Sequence, residues 1–181
     1  GSNFIPVACP AAHGRFPHPV VKWAIPPSSA AESPNAAKRI VITGGAGFIG
    51  SQLGYFLHMQ GYDVILIDNM KFGYMDNLEV NGKRFGTFVE GDILDARTWP
   101  HLQDAHCVFH FAALSALPVC QSRPQEAMEV NVGGVAAMLE ASRLRGVRRF
   151  VFASTSAVYD NTRPDDEGRL SESAVPNPTL L

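Results

Sequence analysis

Cysteine is scarce in this chain: three residues, Cys9, Cys107 and Cys120, an odd number at unrelated spacings with no Cys-x-x-Cys pair. Such a set supplies neither a disulfide framework nor a zinc site, so no metal centre is expected and a reducing, cytoplasmic setting fits best. An excess of one charge is also absent. Fifteen Lys and Arg stand against 17 Asp and Glu, a formal net charge of −2, and no overall field draws the chain to nucleic acid or to an anionic membrane. No apolar run approaches the roughly 18 residues a membrane helix needs. The N-terminus lacks a basic segment followed by an apolar core, so no sorting signal and no membrane partner are expected. Internal repeats are missing. What is present, 181 residues of which 46% are hydrophobic and 18% charged, is material for one globular domain.

Prolines are unevenly spread. Pro6, Pro10, Pro17, Pro19, Pro26, Pro27 and Pro34 crowd residues 1–37 among Ala, Ser and His, without a period of 2 or 3.6. This arm is expected to be flexible and to form no regular element, and Gly1-Ser2 looks like the remnant of a cleaved tag. From Lys38 the texture changes to short apolar runs alternating with segments of helical period, the pattern of a parallel sheet covered by helices. Arg39–Thr43 and Asp63–Ile67 read as buried strands, Thr87–Glu90 as a short third, Cys107–Phe111 as a fourth and Arg149–Ala153 as a fifth. Between the first two, a helix places Ile49, Leu53, Phe56 and Leu57 on one face and stops at Gly61. A long helix from about Pro124 to Gly146 carries Met128, Val132, Val135, Met138 and Leu139 on one face. Strand alternation sends His110 to the face opposite Phe109 and Phe111, as a core residue or a neighbour of the site; His101 and His106 are expected at the surface.

The first strand runs into Thr43-Gly44-Gly45-Ala46-Gly47-Phe48-Ile49-Gly50, and a helix follows. Glycines at such a turn permit positive φ, let backbone approach a pyrophosphate, and leave the helix N-terminal N–H groups facing the anion. Asp68 ends the second strand about 18 residues after Gly50, where a carboxylate accepts from both ribose hydroxyls of an adenosine and repels a 2′-phosphate. NAD is therefore expected rather than NADP.

Gly44, Gly47 and Gly50 reproduce the T-G-x-x-G-x-x-G of the extended short-chain dehydrogenase/reductases, and residues 38–178 resemble that family, most closely its UDP-glucose 4-epimerases and related nucleotide-sugar epimerases. The resemblance implies an α/β fold: a Rossmann-type doubly wound parallel sheet with helices on both faces, here running through about five strands. It implies that Phe48, Ile49 and Asn69 join the glycines and Asp68 around NAD, and that Asp92 and Ile93 of Gly91-Asp92-Ile93 flank adenine. Phe111, Ala112 and Ala113 would line the cofactor. Ser115 and Ser156 would face the substrate, and Asn131, on the helix behind the site, would join the residues that bind the cofactor. Read from residues alone, Asp92 is also compatible with a turn cap, and Asn131 reads equally as a helix residue bonding a nearby backbone carbonyl.

Ser154-Thr155-Ser156-Ala157-Val158-Tyr159 resembles the family's S-[ST]-x-x-V-Y. Thr155 falls on the catalytic hydroxyl position, with Ser154 beside the cofactor. A hydroxyl there both donates and accepts, so it can hold the sugar hydroxyl being oxidised and relay its proton. Related dehydratases carry Asp-Glu at the next two positions; Ser156 and Ala157 are no acid–base pair for eliminating water, which favours epimerisation. The family's Tyr-x-x-x-Lys general base does not occur in the 181 residues, so this chain alone is expected to bind NAD at best. The expected partners are a nucleotide sugar, UDP-hexose first, and a second copy in a homodimer. The alternatives are another oxidoreductase or dehydratase of the extended family, or a non-catalytic NAD-binding interaction module.

Overall fold

The computed structural model describes residues 38–165 and 167–178; the proline-rich arm expected over residues 1–37 lies outside them. Five strands form one parallel sheet in the order β5-β2-β1-β6-β7. They are β1 (Arg39–Thr43), β2 (Asp63–Asp68), β5 (Thr87–Glu90), β6 (Cys107–His110) and β7 (Phe150–Phe152). β1 is central, pairing Val41 with Ile65 on one side and with Val108 on the other. The expected strands are recovered with ends shifted by a residue, because continuous β-branched and aromatic runs such as Ile40-Val41-Ile42 are buried on both faces.

Alternation along β1 sorts the core into two layers. Val41 packs with Ile65, Ile67, Val108 and Met138 on one face, while Ile40 and Ile42 pack with Val64, Leu66 and Cys107 on the other. Burying a side chain such as Ile42 or Leu66, both 0% exposed, contributes about 1.5–3 kcal/mol. Helix α1 (Phe48–Met59) covers the second layer. Its inward residues are Gly50, Ser51 and Gly54, with Leu53 and Leu57 only partly buried, and Ile49 and Phe56 are exposed. This corrects the expected apolar face. A Cβ at Gly54 would lie 2.7 Å from Leu66 Cδ2, so small residues let the helix axis approach too closely for larger ones to point inward.

The long helix after β6 is broken as well. α2 (Leu117–Ser122) and α3 (Pro124–Met128) lead into a π-helical turn at Glu129–Gly133 and then α4 (Gly134–Leu144). Gly134, Met138, Ala141 and Ser142 face the sheet, whereas Met128, Val132 and Leu139 are exposed. The wider π turn re-phases the helix, so the apolar residues on the expected single face divide between two. A small hairpin, β3 (Glu79–Val80) with β4 (Lys83–Arg84), lies outside the expected elements. Its turn is Asn81-Gly82, both at positive φ, the type I′ signal that the sequence carries in plain view. His101 and His106 are half-buried rather than on the surface.

Candidate functional site: the crevice at the ends of β1, β2 and β6

From β1 the chain moves outward to β2 and β5, then crosses back to β6 and β7 on the other side. Such a reversal leaves a crevice beyond the carboxyl ends of the central strands, where ligands of open α/β sheets bind. The loops that fill this end are those carrying the motif residues.

At the end of β1, Gly44 has φ +68°, and a Cβ there would lie 2.8 Å from both Phe111 C and Ala112 N. Two backbones touch at this point: the glycine turn and the loop after β6. At Gly50 a Cβ would overlap the Gly44 carbonyl oxygen, so the first turn of α1 sits directly on the glycine turn. Gly47 is the N-cap of α1 and brings no side-chain cap, which leaves the first-turn N–H groups facing outward for an anion. Phe48 and Ile49 are 72% and 62% exposed at this mouth.

Asp68, at the end of β2, is buried and held on both oxygens. The Ala46 N–H donates to Oδ2 at 3.0 Å and the Met70 N–H to Oδ1 at 2.9 Å. The carboxylate thus ties the glycine turn to the loop that follows β2, with lone pairs remaining for a ligand. Met70 takes φ +59°, a left-handed conformation sparsely used by side chains of its kind, and the bond to Asp68 offsets the strain. Two residues that motif reading passes over complete this corner. A Cβ on Gly73 would lie 2.8 Å from Ala46 Cβ and from Asp68 Oδ1, and Asn77 Nδ2 donates to Ala46 O at 2.8 Å. Gly73 follows Asp68 by five residues, a signal visible only once Asp68 is taken as fixed.

Asp92 caps its own turn, accepting from the Leu94 N–H at 2.9 Å, and its other oxygen accepts from Asn69 Nδ2 at 2.8 Å. Ile93 is buried, pressed against Gly134, so only its backbone remains for a ligand. Beside them an open hollow of about 390 Å³ is lined by Asn69, Gly91, Asp92, Arg97, Thr98 and His101.

On the far side of β1, Asn131 clamps the loop after β6: its Oδ1 accepts from Leu114 N–H at 2.8 Å and its Nδ2 donates to Leu114 O at 3.0 Å. Both ends of the amide are committed, so Asn131 positions the loop carrying Phe111, Ala112, Ala113 and Ser115. Ala113 and Ser115 are exposed, and Phe111 and Ala112 half-buried.

The same loop is tied to β1 by a link the motif does not announce. Thr43 Oγ1 accepts from the Ala112 N–H at 3.3 Å and lies 2.8 Å from His110 Nδ1. His110 is 1% exposed, on the face opposite Phe109 as strand alternation requires, and packs against the Phe150 and Phe152 rings of the neighbouring strand. Burial pushes its imidazole down to about 4. The unfolded chain takes up this proton near the ordinary value of about 6.5, so between the two values it binds more protons than the folded chain. Stability therefore falls as pH drops through that window, by about 3 kcal/mol in all. Urea unfolding of the His110→Phe variant from pH 7 to 4 should show this part of the acid limb flattened; an unchanged limb would assign the loss to other groups.

Ser154, Thr155 and Ser156 follow β7 and are exposed. Thr155 is the N-cap of a 3₁₀ turn at Ser156–Tyr159, its Oγ1 accepting from the Ala157 N–H at 3.1 Å. The hydroxyl hydrogen remains free to donate. The structure thus brings Gly44, Gly47, Gly50 and Asp68 together at one corner, with Asp92 linked through Asn69.

Similarity to known proteins covers the span that holds this crevice. Residues 40–179 match the NAD dependent epimerase/dehydratase family. The chain is 37% identical over 131 residues to a UDP-glucose 4-epimerase of Erwinia amylovora, covering 69% of this chain and 39% of that protein. It is 35% identical over 127 residues to one of Klebsiella pneumoniae, covering 67% of this chain and 91% of that sequence. Among solved structures, UDP-glucose 4-epimerase from Brucella ovis in complex with NAD superposes with a TM-score of 0.70 at 34% identity, over 79% of this chain and 42% of its own. The chain thus spans about two fifths of the Erwinia and Brucella proteins. With the matched span taking in 140 of its 181 residues, the sheet and the glycine turn included, this chain belongs to the NAD dependent epimerase/dehydratase family.

Proposed function

We propose that this chain is the dinucleotide-binding part of an NAD-dependent nucleotide-sugar epimerase of the UDP-hexose 4-epimerase type. The observation that carries the reading is the contact of Gly44 with the Phe111–Ala112 backbone beside a doubly anchored Asp68. That corner offers N–H groups and close backbone approach to a pyrophosphate, and a carboxylate to a ribose.

When bound, NAD supplies the acceptor and donor of the hydride at the sugar C4. The residues of the chain do the rest of what this part contributes. Gly44, Gly47 and Gly50 shape the anion cradle, with Phe48 and Ile49 at its rim. Asp68 and Asn69 hold the adenosine ribose, and Asp92 and Ile93 flank the adenine. Ala112 and Ala113, on a loop positioned by Asn131 and Thr43, line the groove toward the nicotinamide end, with Ser154 beside it. Thr155 Oγ1 holds the sugar hydroxyl that is oxidised, and Ser115 and Ser156 face the sugar. Ser156 and Ala157 provide no acid–base pair, so water elimination has no catalyst at these positions. No tyrosine of residues 1–181 is followed by lysine four positions on; Tyr159, for example, is followed by Arg163. The chain by itself therefore binds NAD without turning over a sugar.

The test is UDP-galactose turnover by a polypeptide that joins this chain to a segment carrying Tyr-x-x-x-Lys. It should interconvert UDP-galactose and UDP-glucose, and Thr155→Ala should lower kcat about 100-fold with little change in KM. Oxidation of a small alcohol without epimerisation would replace this reading with that of a dehydrogenase. We also propose a homodimer through the exposed Met128, Val132 and Leu139 stripe. Sedimentation should show a dimer that Val132→Lys dissociates; a wild-type monomer at micromolar concentration would remove the proposal.

A further inference from the structure

A chain of polar contacts crosses the mouth of the crevice. It starts at Asp92 beyond β5, whose Oδ2 accepts from Asn69 Nδ2 at 2.8 Å. Asn69 Oδ1 accepts from the Lys71 N–H at 3.1 Å, fixing the turn that aims the Lys71 side chain. The Lys71 ammonium then pairs with Glu126 on α3, 55 residues further along the chain, and Arg123 Nη1 stands 3.5 Å from the other Glu126 oxygen. Lys71 belongs to the loop after β2, and Glu126 to the connection after β6. β1 lies between those two strands, so the pair joins segments that leave the sheet on either side of the strand leading into the glycine turn.

The charge inventory gives this crossing its meaning. Residues 44–51 and 111–115, the glycine turn, the first turn of α1 and the loop beside them, contain no cationic side chain. A dinucleotide pyrophosphate carries two negative charges, and backbone N–H groups with a helix dipole meet them only in part. The segments on either side of β1 bring Lys71 and Arg123, and one carboxylate, Glu126, pairs with both. The Lys71 and Glu126 side chains are 40% and 29% exposed, and a pair so open to water contributes little stability, so exchanging its anion costs little.

Resting on the NAD-binding reading above, we infer that Lys71 is a further cofactor-binding residue: Glu126 holds its ammonium in the free chain, and the dinucleotide pyrophosphate takes it over on binding. Glu126 is then a competitor for the cation, which a purely structural ion pair is not. A structural pair loses the same thing whichever partner is removed. A competitor and its cation give effects of opposite sign.

The experiment is calorimetric titration of NAD into the 181-residue chain, wild type, Lys71→Met and Glu126→Gln, at low and at 0.5 M salt. Both positions are on the surface, so the variants keep the fold, and circular dichroism checks it. At low salt Lys71→Met should weaken NAD binding about tenfold, as expected for one charge-assisted contact. Glu126→Gln should tighten it about threefold by freeing the cation. High salt should shrink both differences, since exposed charges are screened. Wild-type binding with both variants within twofold of it, or weakened alike, overturns the inference and leaves the NAD-binding reading standing. No NAD binding by the wild type overturns both.

Discussion

Gly44→Val should abolish NAD binding, lowering affinity by more than about 100-fold and stability by about 3 kcal/mol or more. Two costs combine at this position. At φ +68° any Cβ crowds its own carbonyl, and a β-branched side chain adds to that penalty. The second cost is specific to the site. The Cβ would sit 2.8 Å from Phe111 C and Ala112 N, so the loop after β6 has to move away from β1. That movement breaks the Ala112 N–H bond to Thr43 and displaces the segment that Asn131 positions. Gly44→Ala should act in the same direction to a lesser extent. Calorimetry with NAD and urea unfolding measure the two parts separately, and a variant that is destabilised yet binds NAD normally would remove the glycine turn from the binding site.

Asp68→Ala should produce the second large loss, and it should show in both cofactor choice and stability. The carboxylate is the shared acceptor of the Ala46 and Met70 N–H groups in a buried corner. Removing it leaves two donors without a partner, at about 2–4 kcal/mol in total. Met70 loses the bond that offsets its left-handed backbone, so the loop carrying Asn69 and Lys71 loosens. NAD affinity should fall about 100-fold. Asp68→Asn keeps one acceptor and removes the charge, so it should retain more stability while the preference for NAD over NADP collapses. A preserved preference in that variant would show that another group rejects the 2′-phosphate.

These expectations rest on features of unequal visibility in the sequence. β1 and β2 are legible because runs such as Ile40-Val41-Ile42 and Val64-Ile65-Leu66-Ile67 allow no helical period. The glycine turn is legible because its spacing carries a mechanism. The helical faces are not. Period alone points Ile49 and Phe56 at the sheet, yet Gly50 and Gly54 take those places because close packing of α1 on Leu66 excludes larger residues. Likewise the π turn at Glu129–Gly133 leaves no mark in the apolar pattern, and Val132 within it is exposed. In the site, Asp68 is legible as a carboxylate at a strand end, but its two backbone donors are not, since they depend on how two loops meet. Asn131 stands in the sequence as one residue with two readings, and the structure shows both ends of its amide on Leu114. The link from Thr43 to His110 crosses 67 residues and follows only from the pairing of β1 with β6.

The most direct test of the account is a calorimetric titration of the 181-residue chain with NAD and, separately, with NADP. The account predicts saturable binding of one NAD per chain, with NADP at least about tenfold weaker because a 2′-phosphate meets the Asp68 carboxylate. A folded chain that takes up neither, or that prefers NADP, would contradict it.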